Sequence, residues 1–136
     1  MSPHDRLSRP SVSDDHSPRL VALRGATTVE ADTQDDIRLR TEELLTALLE
    51  RNSLAVDDIV SILFTATPDL RADFPAAAAR GLGLSHTPLL CAQEIPVEGA
   101  VTRCIRVLIH CYGLPGVARH HVYLHEAKAL RLDLPS

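Results

Sequence analysis

An α+β fold, a β-sheet with helices packed on one face, is what the sequence predicts, on three observations. Strand-length apolar runs are interleaved with helical patterns along the chain, as expected where a sheet and its covering helices share one core. The length, 136 residues, suits one such core and is short for two. The composition, 45% hydrophobic and 24% charged, is that of a globular chain rather than a disordered one. Only 3% of residues are aromatic and Trp is absent, so Leu, Val, Ile and Ala must fill the interior.

Residues 1–18 are rich in Ser and Pro with almost nothing apolar, so burial cannot offset their ordering entropy. A flexible tail is expected there, and a single domain over residues 19–136. The first strand is expected at Leu20-Val21-Ala22-Leu23, stopping at Gly25, with Ala26 to Val29 continuing as extended chain or turn. Thr33, three residues before Asp36, resembles half of a capping box, and Asp35 and Asp36 place negative charge in a first helical turn. The helix that follows is amphipathic: Ile37, Leu44, Leu45, Leu48 and Leu49 recur with helical spacing, and the pattern ends near Asn52. That stripe reads as core-facing rather than as a partner surface.

Ile59 to Phe64 is almost unbroken apolar sequence, which predicts a central strand covered on both faces. Thr67-Pro68-Asp69 breaks it. Pro75 opens a short Ala-rich helix that Gly81 and Gly83 end. Further strands are expected at Thr87 to Ala92, at Val101 to Tyr112 and at His120 to Leu124.

The formal net charge of −4 disfavours a general nucleic-acid or acidic-membrane binder. No run is long enough to span a bilayer, and no apolar segment of signal-peptide length opens the chain. Cys91, Cys104 and Cys111 leave an odd thiol in any disulfide scheme, and there is no zinc-type CxxC pair, so a reducing cytoplasm is expected. The basic residues are 13 Arg and a single Lys, Lys128. Arg is the better group for bidentate contact with carboxylates.

Alternation along the fourth strand puts Thr102, Cys104, Arg106, Leu108 and His110 on one face. A guanidinium between Cys104 and Leu108 in mid-strand cannot easily reach water, so Arg106 needs an acidic partner, such as Glu94, or an anionic ligand. Arg24, before Gly25 at the end of the first strand, could reach into a cleft. Arg80 closes the Ala-rich helix, where a cation also favours the helix dipole. Strand alternation sends Cys91 and Glu94 opposite ways unless the chain turns between them. His121 and His125 have the spacing of a helical metal pair but fall where a strand and its exit are expected, so no metal site is assigned.

Six ordered motifs carry a resemblance. Arg24-Gly25-Ala26-Thr27-Thr28-Val29-Glu30, Thr65-Ala66-Thr67-Pro68-Asp69-Leu70, Phe74-Pro75-Ala76, Cys91-Ala92-Gln93-Glu94, Cys104-Ile105-Arg106-Val107, and His121-Val122-Tyr123-Leu124 with Leu130-Arg131 resemble the successive signatures of AroH-class chorismate mutases. The resemblance covers about Leu20 to Leu134. It implies an isomerase that rearranges chorismate to prephenate with no metal or cofactor, in the biosynthesis of phenylalanine and tyrosine. It also implies a homotrimer in which mixed sheets from three subunits form a pseudo-α/β-barrel core, with active sites between neighbouring subunits.

Carried over by position, the resemblance assigns Arg106, Glu94 and Arg24 to catalysis. Arg24 and Arg106 would meet substrate carboxylate, with Arg106 also at the ether oxygen; Glu94 and Cys91 would lie near the ring hydroxyl and Tyr123 at the pyruvyl carboxylate. Phe74, Ala76, Leu89, Leu90 and Leu130 would form pocket wall, and Arg80 and Arg131 the positive entrance or C-terminal closure. The chain departs from the pattern at Ala77, where a Lys is familiar, and at Leu90, where a Thr is familiar. A trimer that only binds a small carboxylate would need Arg24 and Arg106 but not Glu94.

Overall fold

The computed structural model describes residues 17–133, and side chains as far as residue 130. Residues 1–16, where most of the expected tail lies, fall outside the described residues, as do residues 134–136. Five strands form one sheet: β1 (Arg19–Thr28), β2 (Ile59–Ala66), β3 (Leu89–Gln93), β4 (Cys104–Gly113) and β5 (Val122–Tyr123), in the spatial order β3-β2-β4-β1-β5. β4 is antiparallel to both neighbours, whereas β2–β3 and β1–β5 are parallel. The sheet is therefore mixed. No helix among the described residues is long and apolar enough to cross a membrane.

Helix α1 (Gln34–Arg51) starts where the capping signal predicts: Thr33 is its N-cap, and its hydroxyl accepts the Asp36 N–H at 3.2 Å. Ile37, Leu44, Leu45 and Leu48 are buried, as their spacing requires, and so is Thr41, whose hydroxyl donates to the Ile37 carbonyl at 2.7 Å. Asn52 caps the other end, with its side-chain amide donating to the Leu48 carbonyl at 2.9 Å. The α1 leucines pack on Leu23, Ile62, Phe64, Val107 and Ile109, alternate residues of β1, β2 and β4 that share one face of the sheet. The short helix α2 (Ala76–Gly81) packs beside α1, with Ala79 in the same core.

Gly25 explains how α1 lies so close. A Cβ there would sit 2.8 Å from Leu48 Cδ1 and 3.1 Å from Leu44 Cδ1 and Val107 Cγ2. The apolar run of the first strand pauses at Gly25 for packing, so β1 continues through it to Thr28, and Arg24 stands mid-strand rather than at a strand end.

Other expectations need correction. β4 begins at Cys104 rather than Val101, because Arg103 takes a left-handed turn (φ 45°) with its N–H on the Asp69 carboxylate at 2.9 Å. Thr102 is therefore outside the strand. β5 is shortened to two residues, since His120 is tied to Asn52 through both its main-chain groups. β3 starts at Leu89, not Thr87. β2 is internal, but among the described residues only its helix-side face is covered; Leu63 and Val60 remain partly exposed.

The face away from the helices carries Leu20, Ala22, Leu63, Leu90, Leu108 and Tyr112, joined by Arg24, Thr65 and Arg106. Leu20 is 60% exposed and Leu90 62%. One end of this face is capped by a 3₁₀ helix (His125–Asp133), under which Ala26, Cys104, Tyr123 and Ala127 form a small second core.

Candidate active site

Strand register assembles the site on the open face. Arg106 of β4 stands opposite Ala26 of β1 and Thr65 of β2, while Ala26 stands opposite Tyr123 of β5. One row thus runs Tyr123, Ala26, Arg106, Thr65 across four strands. Arg24 lies two residues along β1, on the same face, opposite Leu108. Together with Leu63, Leu130 and the edges of Gly25 and Val107, these residues line a cavity of about 520 Å³. That volume falls in the range of small-molecule sites.

Glu94 enters from the end of β3. Its N–H donates to the Ala66 carbonyl at 2.9 Å, which continues the β3–β2 pairing by one residue and turns the carboxylate toward the open face. There Glu94 Oε2 accepts the Thr65 hydroxyl at 2.6 Å and lies 3.1 Å from Arg106 Nε. The carboxylate is largely covered, with 16% of its side chain exposed, but the Arg106 side chain is 44% exposed. The expectation of a buried guanidinium is corrected accordingly: among the described residues only the 3₁₀ helix at one end lies on this face, and it leaves the Arg106 side chain 44% exposed. The expected pairing with Glu94 is present, and it leaves an open cavity beside it. The contact engages Nε, the inner nitrogen, so donors at the outer edge of the guanidinium remain available to a ligand.

Cys104, beneath Arg106, is fully buried; burial pushes its thiol up to about 11, with the Arg106 charge acting in the opposite direction. Cys104 is a neutral packing group at ordinary pH. Burial likewise raises Cys111.

The other expected site residues lie elsewhere in the chain. Cys91 stands opposite Phe64 on the helix side of the sheet and packs against the main core, so no turn brings it to Glu94. With Phe74 and Pro75 it lines a second cavity of about 390 Å³ at the β3 side. Phe74 is 72% exposed. Ala76, Ala77 and Arg80 belong to α2, while Leu89 and Leu90 belong to β3. Arg131 falls in the 3₁₀ helix, and its side chain lies outside the described ones. The sequence therefore names two groups of residues, one around Arg106 and one along the β3–α2 edge; they line two cavities that share Thr65, and of the second group only Leu90 lies on the Arg106 face, opposite Leu63.

His121 and His125 are separately engaged. His121 Nδ1 accepts the Arg24 N–H at 3.0 Å, and His125 Nε2 lies 2.8 Å from Glu43 Oε1. Among the described residues no group of three or more His, Cys, Asp or Glu is placed to hold a metal ion.

Comparison with known proteins decides the family. The model of the family described as chorismate mutase type I matches residues 20–134. The chain belongs to this family. It is 44% identical over 114 residues to chorismate mutase AroH of Bacillus subtilis (strain 168), covering 82% of this chain and 90% of that protein. It is 46% identical over 116 residues to chorismate mutase AroH of Thermus thermophilus, covering 84% and 95%. Among solved structures, a chorismate mutase from Clostridium thermocellum superposes with a TM-score of 0.75 at 46% identity, covering 80% of this chain and 98% of that one. The enzyme class expected from the six motifs, an isomerase with chorismate mutase activity, and the α+β fold both agree with these relatives.

Two residues of the site were missed by sequence reasoning. Thr65 sits in a quoted motif, but only the register of β2 against β4 reveals that it bridges Glu94 to the Arg106 row. His121 was weighed as a metal ligand, whereas it is bonded to the main chain of Arg24.

Proposed function

We propose that the open-face cavity binds chorismate and that Arg106 stabilises the transition state of its rearrangement to prephenate. The observation that carries this reading is the Arg106 guanidinium, held at Nε by Glu94 and exposed along a cavity that Arg24 also lines. Chorismate carries two carboxylates, and two guanidiniums against one carboxylate leave the cavity net positive.

The reaction is intramolecular and pericyclic: an ether carbon–oxygen bond breaks as a carbon–carbon bond forms, and no proton need move. Two contributions remain for the protein. The first is selection of the compact conformer that brings the reacting carbons together, which Arg24 and Tyr123 would enforce by holding a carboxylate against the apolar wall of Leu63, Leu108 and Leu130. The second is stabilisation of the negative charge that grows on the ether oxygen. A guanidinium fixed in advance favours that charge more than the ground state, and the difference is catalysis. Glu94 holds Arg106 in place and accepts a hydrogen bond from the ring hydroxyl, putting negative charge near the ring as it becomes electron-poor.

The complete site in this reading is shared between copies in a homotrimer. The exposed apolar face of the sheet calls for a cover, which the same face of other copies would supply in a pseudo-barrel core. A neighbour would then bring its β3–α2 edge, with Phe74, Ala76, Ala77, Arg80, Leu89, Leu90 and Cys91, to the Arg106 cavity. Ala77 and Leu90 give that edge less charge and less hydrogen bonding than the family's Lys and Thr. A cytoplasmic setting in aromatic amino-acid biosynthesis completes the reading.

Ultraviolet absorbance tests it directly. The purified protein should consume chorismate and accumulate prephenate, at a rate unchanged by added metal or by a chelator. Binding of chorismate without turnover would favour the carboxylate-binding alternative.

A further inference from the structure

β5 pairs with β1 over two residues only, Gly25 with Val122 and Ala26 with Tyr123. Leu124 extends the contact by donating to the Ala26 carbonyl at 2.9 Å. On the other side, at Arg24, the neighbouring chain has already left the sheet, because Asn52 at the end of α1 holds both main-chain groups of His120 at 2.8 and 2.9 Å. The Arg24 N–H is satisfied there by a side chain, His121 Nδ1 at 3.0 Å.

This contact has a chemical condition. Nδ1 can accept only while it carries no proton, so the imidazole must be the neutral tautomer with its hydrogen on Nε2. Burial and the Arg24 charge both lower the imidazole below its ordinary range, which keeps it neutral. Arg24 is the charged group that bears on the ring. Glu43, on the face of α1 near β5, is engaged by His125, and His120 meets Asn52 through its main chain. Protonation would set two N–H donors against each other and add a cation beside a guanidinium.

We propose that His121 is the positioning residue of Arg24: its neutral imidazole fixes the β1 main chain at Arg24, and so the guanidinium's reach into the cavity, making substrate affinity depend on that ring staying unprotonated. The inference rests on reading Arg24 as a carboxylate-binding residue.

The test is the pH dependence of KM and kcat for chorismate between pH 5 and 8, a range in which carboxylates of ordinary acidity, below about 4.5, stay ionised. In the wild type KM should rise toward acid by up to about tenfold per pH unit once the ring protonates, with kcat changing much less. His121→Asn can place an amide oxygen where Nδ1 stood, so its KM should be flat over the same range. His121→Leu should raise KM by about three- to tenfold at every pH, the size expected for a lost intramolecular hydrogen bond, with an unchanged far-UV spectrum. An acid rise that persists in His121→Asn, or a normal KM in His121→Leu, overturns the proposal.

A readout without substrate separates this inference from the reading beneath it. The Arg24 amide resonance should move with the same titration midpoint as the His121 ring, and an amide that ignores the ring overturns the contact itself. If the two titrate together while Arg24→Ala keeps a normal KM, the contact stands but Arg24 is not a substrate residue, and the proposal falls on that side.

Discussion

The two faces of this sheet are built by different rules. On the helix side, Leu23, Ile62, Phe64, Val107 and Ile109 meet the leucines of α1, and Gly25 removes even a methyl group to let them close. On the other side, the same strands with β3 present Leu20, Leu63, Leu90 and Tyr112 to solvent and set Arg24, Arg106 and Thr65 among them. One face is a finished core. Among the described residues the other has hydrophobic area without a cover and charge without full compensation, which the proposed ligand and trimer would complete. Substitutions should therefore damage stability on one face and chemistry or assembly on the other.

Phe64→Ala should have the largest effect, about 3–5 kcal/mol of stability from lost burial and a residual cavity, read as a lowered midpoint in denaturant. A loss below about 1 kcal/mol would mean that the helix-side core is not closed. Arg106→Ala should cost about 3–4 kcal/mol in the barrier, or roughly 100- to 1,000-fold in kcat, while the unfolding midpoint hardly moves. Near-normal turnover by that variant would remove Arg106 from the mechanism. Leu63→Asp should weaken assembly by about 2 kcal/mol, roughly 30-fold in association, so that diluted protein sediments as a smaller species with its far-UV spectrum intact. Unfolding without a change in size distribution would place Leu63 in the chain's own core instead. Thr33→Ala should be smallest, about 1 kcal/mol from the lost N-cap, with unaltered kinetics.

The helix-side face was readable from sequence because its signals are local. The Thr33 cap, the leucine spacing of α1, and the breaks at Thr67-Pro68 and Gly83 each state their structure within a few residues. The open face was only partly readable. Alternation puts Arg106 on one face of a strand, but burial of that face depends on a layer that the described residues do not supply. Sequence therefore predicted a buried guanidinium where the single chain exposes one. Register is also non-local: that Thr65 and Ala26 flank Arg106, or that His121 reaches Arg24, follows from pairings between distant segments. Of the residues in the family motifs, Arg24, Arg106 and Tyr123 line one cavity with Glu94 beside it, whereas alternation sends Cys91 and Glu94 to opposite faces, and within one chain they diverge.

That divergence gives the most direct test of a site shared between copies. Arg106→Ala and Arg80→Ala chains, each slow alone, would be unfolded together, refolded as a mixture and assayed for loss of chorismate absorbance. If Arg106 of one chain works with the β3–α2 edge of the next, random mixing restores intact sites at about a quarter of interfaces, and activity returns toward about a quarter of wild type. A mixture no faster than the average of the two variants would mean that each chain carries its site alone, and the shared site would have to be abandoned.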